Sequence, residues 1–176
     1  MISNSSPLIL FGKLNKLDLL KKVFGQIEIA KSVYEEVIEK GIAAKKIESF
    51  IIKEWVEKGF ILVRELNVSE QEKSCFLRRA YPKLDAGEAD TIALAMQKNE
   101  RSILIDEKAA RKIAELYGIL PIGTLGVLLL AYQKKIVNES VLKEIIDKLI
   151  LSDFRVGAEV INEFWKMLSS LKSSKK

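Results

Sequence analysis

Residues 103–114 read ILIDEKAARKIA, an apolar run that stops at Asp106 and Glu107 and passes directly into an alanine-rich segment. A short β-branched run followed by an amphipathic one is the pattern of a buried parallel strand feeding a helix. The same alternation recurs on both sides. Strands are predicted at Met1–Ser3, Gln26–Ala30, Phe60–Arg64, Ser102–Ile105 and Leu120–Ile122. Helices are predicted between them, around Pro7–Lys22, Ser32–Lys40, Ala44–Lys58, Ser69–Ala80, Ala86–Asn99, Glu107–Tyr117 and Gly123–Lys134. The class is α/β, with a short central parallel sheet of four to five strands between helices. Two more amphipathic stretches, Glu139–Ile150 and Glu159–Leu171, follow without a strand signal and are expected to pack outside as a helical pair.

Several helix starts carry capping chemistry. Ser32 with Glu35, Ser69 with Glu72, and Asp85 with Glu88 all have capping-box spacing, and Ser6 before Pro7 suits a helix start. These assignments explain some acids structurally. In ISNSSPL, residues 2–8, Asn4 falls at the carboxyl end of a strand, the edge where open α/β sheets bind ligands, although a turn-forming asparagine is the plainer account. In VYEEV, residues 33–37, Glu36 has no capping duty, yet it could pair with Lys40 four residues on. In LDAGEADTIALAM, residues 84–96, Glu88 has the capping explanation and Asp90 has none. Asp106 suits a helix N-cap, and Glu107 suits the first-turn dipole. Together these residues fall at strand ends and helix starts on one edge of a parallel sheet. Oxygen-rich acidic clusters bind Mg²⁺ or Mn²⁺, and carboxylates held close without a cation repel.

Composition narrows the chemistry. The 176-residue chain is 48% hydrophobic and 30% charged, enough for one sizeable core. It has one cysteine, Cys75, and no histidine, which excludes an internal disulfide, Cys/His zinc sites and histidine-based triads. No GxGxxG or P-loop sequence is present. The net charge of +5 and the pI near 9.2 fit a polyanionic partner. No run is long enough to cross a membrane and Met1–Leu10 lacks signal-peptide order, so a cytoplasmic protein with no membrane association is expected. The final residues, 172–176, are expected to form a disordered tail.

The segments ISNSSPLILFGKLNKLDLL, VYEEV, LDAGEADTIALA, ILIDEKAARKIA and IGTLGVLLLA, in this order, resemble PIN domains related to VapC-type toxins. The resemblance spans roughly residues 1–135, with the terminal helices beyond it in a single domain of residues 1–171. It implies a PIN-like three-layer α/β/α fold and a metal-dependent endoribonuclease, a hydrolase using Mg²⁺ or Mn²⁺. It carries Glu36, Asp90 and Asp106 over as catalytic residues, and adds Asn4 to them as the metal-holding quartet. Glu88 and Glu107 are additional metal-site neighbours, and Lys13, Lys108 and Arg111 are candidate RNA contacts. Most PIN nucleases place aspartate where this chain has Asn4, a weaker ligand. A PIN-fold module that binds RNA or protein with weakened catalysis is therefore the alternative function. Family relatives also imply a homodimer and a small antitoxin partner.

Overall fold

The computed structural model describes residues 1–151 and 157–173. Its centre is a sheet of five parallel strands: β1 (Ile2–Ser3), β2 (Ile27–Ala30), β3 (Ile61–Arg64), β4 (Ser102–Leu104) and β5 (Leu120–Ile122). Their order is β3-β2-β1-β4-β5, so the chain reverses its direction of travel at β1. Ile2 registers with Glu28 on one side and Ile103 on the other. Asn4 N–H donates to Leu104 O at 2.9 Å, which seats Asn4 at the carboxyl edge between β1 and β4. That strand reversal is where an open α/β sheet forms a crevice.

Side-chain alternation along the strands divides the interior. Ile103 and Ile105 face one core, which they share with Ile2, Leu77, Ile92 and Ile113. Leu104, Ile27, Ile29 and Ile61 face the other, larger core. Each face of the sheet is thus buried by helices, and the architecture is three layers, α/β/α.

The helices follow the apolar periodicity with some revised boundaries. The segment predicted as one helix over Pro7–Lys22 is two, α1 (Ser5–Lys13) and α2 (Leu17–Phe24), separated at Asn15, which adopts a φ of 51°. Asparagine tolerates that left-handed backbone better than most residues, so the break is local chemistry. After β2 come α3 (Lys31–Tyr34), a π-helical segment (Glu35–Lys40) and α4 (Gly41–Ala43). Wider π turns are rare and occur often at functional sites. Then follow α5 (Ile47–Glu57), α6 (Val68–Ala80), α7 (Ala86–Lys98), α8 (Lys108–Leu116) and α9 (Thr124–Gln133).

The last two helices, α10 (Glu139–Leu151) and α11 (Ala158–Ser173), pack on α9 through Leu142, Ile145, Ile146, Leu149, Phe164 and Leu168. Val160, near the start of α11, is exposed. The tail expected at 172–176 lies largely outside the described residues.

Capping differs from expectation at several starts. Asp85 and Glu88 form the predicted box, with Glu88 N–H to Asp85 Oδ1 at 2.7 Å and Asp85 N–H to Glu88 Oε2 at 2.9 Å. The box at α6 is Asn67 with Glu70, two residues before the predicted Ser69 with Glu72. Both pairs have the right spacing, and the helix takes the one that starts earlier and buries Glu70. Ser32 makes no cap, because its hydroxyl is given to Asp90 and its helix starts at Lys31. The first helix starts at Ser5, ahead of the predicted Ser6 cap, with Asn4 in the capping position and no side-chain cap bond.

Candidate active site

Of the residues singled out in the sequence, Asn4 follows β1, Asp106 and Glu107 follow β4, and Glu88 lies in the first turn of α7. Asn4 leaves β1 buried, at 3% exposure, and its Oδ1 has no hydrogen-bond partner. That oxygen lies 3.3 Å from where a Cβ on Gly87 would stand, in the first turn of α7. Glycine at 87 therefore lets the helix start close over the asparagine. A buried amide oxygen without a partner costs free energy, on the order of 1–3 kcal/mol in proteins.

Glu88, next in sequence, is buried at 3% exposure. Burial is the largest influence on its carboxyl, which is pushed up to about 7; the hydrogen bond from Asp85 N–H opposes the rise, and the negative charges of Asp85, Glu107 and Glu36 add to it. Glu88, Glu36, Glu107 and Asp85 thus share one electrostatic neighbourhood.

Glu36 lies on the π-helical segment, exposed, and Ser5 Oγ donates to its Oε2 at 2.5 Å. Ser5 opens α1 directly after Asn4, so this bond ties the start of that helix to the acidic edge.

Asp106 leaves β4 and accepts Thr124 N–H on one oxygen and Thr124 Oγ on the other, both at 2.7 Å. Its plainer sequence reading, a cap for its own helix, does not hold, because Glu107 takes that N-cap position without a side-chain bond. Asp106 instead satisfies a free amide at the start of α9, 18 residues later. Its pKa is raised, chiefly by burial; the Thr124 bonds and the Arg111 charge pull it down, and the Glu107 charge adds to the rise.

Asp90, the acid for which the sequence offered no structural duty, has one. Ser32 Oγ donates to its Oδ2 at 2.5 Å, and Ser74 Oγ donates to its Oδ1. It thereby links α7 to α3 and α6. Helix geometry accounts for the difference from Glu88: two residues further along, a side chain is turned by about 200°.

Among the described residues, no three carboxylates converge closely enough to form a ready metal cage. The predicted set of Glu36, Asp90 and Asp106 is therefore not assembled as one cluster. Each of these three carboxylates accepts from a hydroxyl donor, from Ser5, from Ser32 and Ser74, or from Thr124. The charges of Asp85, Glu107 and Glu36 act on Glu88, and that of Glu107 acts also on Asp106, while Asn4 Oδ1 lies close to Gly87.

Of the basic candidates, Lys13 sits at the far end of α1, about 12 Å along the helix from Ser5 at 1.5 Å per residue. Lys108 opens α8 and is exposed, while Arg111 is half-buried one turn further. Of the supporting residues that sequence reasoning did not single out, Ser74 lies within α6, and Ser5 and Thr124 open helices. The SSP and IGT runs that contain the last two were legible as helix starts, but nothing local showed that their hydroxyls would reach acids 31 and 18 residues away.

A three-layer sheet with acids and an amide gathered at its carboxyl edge defines a nuclease-like α/β domain. A family model described as a PIN domain matches residues 1–170, and the chain belongs to that family. PIN domains are typically nucleases that use divalent metal ions and bind nucleic acid. No curated protein matches the chain significantly. Among the described residues, no helix is long and apolar enough to cross a membrane.

Proposed function

We propose that this PIN-domain chain is a divalent-metal-dependent endoribonuclease, and that its setting is that of a VapC-type toxin. The observation that carries the proposal is the buried, unpartnered Oδ1 of Asn4 beside the start of the helix that bears Glu88, a carboxyl whose pKa is pushed up to about 7. A neutral oxygen donor and crowded carboxylates fit Mg²⁺ or Mn²⁺. Mg²⁺ keeps several waters and commonly takes only one or two carboxylates, so three converging acids are not required.

In this proposal Asn4, Glu88 and Glu36 hold the metal, with Asp106 at the margin and Glu107 contributing charge. When bound, the metal would supply water activation and stabilisation of charge on the leaving oxygen. The chain's own residues do the rest. Ser5 orients Glu36, and Thr124 orients Asp106. The net charge of +5 draws the RNA backbone toward the molecule. Asp90 is assigned to positioning, through Ser32 and Ser74.

Titration of Mn²⁺ into wild type, Glu88→Gln and Asp106→Asn, with RNA cleavage measured on the same samples, tests this assignment. Saturable binding that is lost with Glu88→Gln, in step with cleavage, is expected. Wild-type protein that neither binds Mn²⁺ nor cuts RNA would sink the catalytic proposal.

A second reading, a PIN-fold binding module with weakened catalysis, is favoured by the amide of Asn4 standing where a carboxylate would bind metal more strongly. Metal-dependent cleavage by the wild type counts against it. The toxin setting also carries a small antitoxin and a homodimer as partners. A monomer mass at high protein concentration would remove the dimer.

A further inference from the structure

Arg111 lies on α8, one turn beyond the helix start, and its side chain is half-buried. Its Nη1 lies 2.6 Å from where a Cβ on Gly123 would stand, and Asp106 Oδ1 lies 2.9 Å from the same point. The guanidinium and the carboxylate therefore face one another over the bare Cα of Gly123. They do not close into an ion pair: Asp106 spends its oxygens on Thr124, and it feels Arg111 only as a neighbouring charge. Among the described residues, Arg111 has no side-chain hydrogen bond and no salt bridge. A guanidinium carries five donors in a planar fork, and withdrawing it partly from water without a partner is costly.

We propose that Arg111, with Gly123 beneath it, is the seat for a backbone phosphodiester of the nucleic acid. The assignment rests on the nuclease proposal only for the identity of the strand that arrives. A fork of parallel N–H donors matches two non-bridging phosphate oxygens, and a lysine at the same place could not reproduce that match. Glycine at 123 is what leaves the guanidinium its position, because any side chain there would enter the same space. The seat borders Asp106 at the carboxyl edge, so a strand held by Arg111 passes along the acidic groups. Arg111 is thus a positioning residue for the strand.

The test is fluorescence anisotropy of labelled twelve-nucleotide single-stranded RNAs, oligo-U and oligo-A, in excess EDTA, for wild type, Arg111→Ala, Arg111→Lys and Gly123→Ala. Arg111→Ala is expected to bind about tenfold more weakly, equally for both sequences, with the slope of log K against log salt reduced by roughly 0.7. Gly123→Ala should lose a similar amount with no change in charge, because the new methyl displaces the guanidinium. Arg111→Lys should fall between wild type and Arg111→Ala.

Arg111→Ala or Arg111→Lys binding within about twofold of wild type, or no RNA binding by the wild type, would overturn the seat. Cleavage with Mn²⁺ on the same samples separates this from the nuclease proposal. A wild type that cuts while Arg111→Ala binds normally refutes the seat alone; a wild type that does not cut while Arg111→Ala loses binding refutes the nuclease alone.

Discussion

Replacing Glu88 by glutamine should make the protein more stable at alkaline pH and leave it nearly unchanged in acid. The carboxyl is pushed up to about 7 by burial and by Asp85, Glu107 and Glu36, against the pull of the Asp85 amide. Its proton is therefore held more tightly in the folded chain than in the unfolded one, where glutamate titrates near ~4.3. Between these two values the folded state binds more protons, so raising pH lowers wild-type stability through that window and changes it little above. At about 1.36 kcal/mol per tenfold change in proton affinity, the full penalty approaches 3–4 kcal/mol. Compactness and residual charge in the unfolded chain reduce this to an expected difference of about 2–3 kcal/mol at alkaline pH.

Glutamine keeps an oxygen to accept the Asp85 N–H, so the capping bond at 2.9 Å is retained. Thermal melts of both proteins in EDTA at about pH 4.5 and 8.5 read the effect, which should be a gap of roughly 4–12 °C at the higher pH and close to nothing at the lower. Groups common to both proteins cancel in the difference. A gap that is the same at both pH values, or a glutamine variant less stable at pH 8.5, would refute the reasoning. Adding Mn²⁺ should raise the wild type more than the variant and narrow the gap.

Asn4→Asp adds a charge to an already crowded edge, so it should lower stability in EDTA by about 1–2 kcal/mol and tighten Mn²⁺ binding roughly tenfold, measured by melting and calorimetry. Unchanged Mn²⁺ affinity would show that Asn4 does not face the metal. Asp90→Ala removes the acceptor for Ser32 and Ser74 and should cost about 2–4 kcal/mol in urea unfolding while leaving Mn²⁺ binding intact. The reverse outcome, normal stability with lost Mn²⁺ binding, would place Asp90 in the metal site. Asp106→Asn keeps one acceptor of two and should cost about 1–2 kcal/mol, with little further loss when Thr124→Val is added, because both changes remove the same contact.

Much of this architecture was legible along the chain. All five strands lie where the apolar runs placed them, within a residue at each end, because strands covered by helices on both faces are largely apolar. The Asp85–Glu88 box was readable for a similar reason: both of its partners lie within one helical turn. Asn4, Asp106 and Glu88 stand where the sequence put them, after β1, after β4 and in the first turn of α7.

Tertiary structure decided what each of these acids does. Read along the chain, Asp90 has no structural partner and Glu88 has a cap, whereas the fold gives Asp90 two serines and buries Glu88 where the charges of Glu36 and Glu107 act on it. Ser74 lies 16 residues from Asp90 and Ser32 lies 58, separations at which no local pattern records an approach. Arg111 and Gly123 meet only because β5 lies beside β4 and brings the start of α9 against α8. Hydrophobic periodicity and capping act within a turn or a strand and are written in consecutive residues. Hydroxyl-to-carboxylate contacts and desolvation depend on which segments the sheet order brings together, and that order is fixed only when the whole core packs.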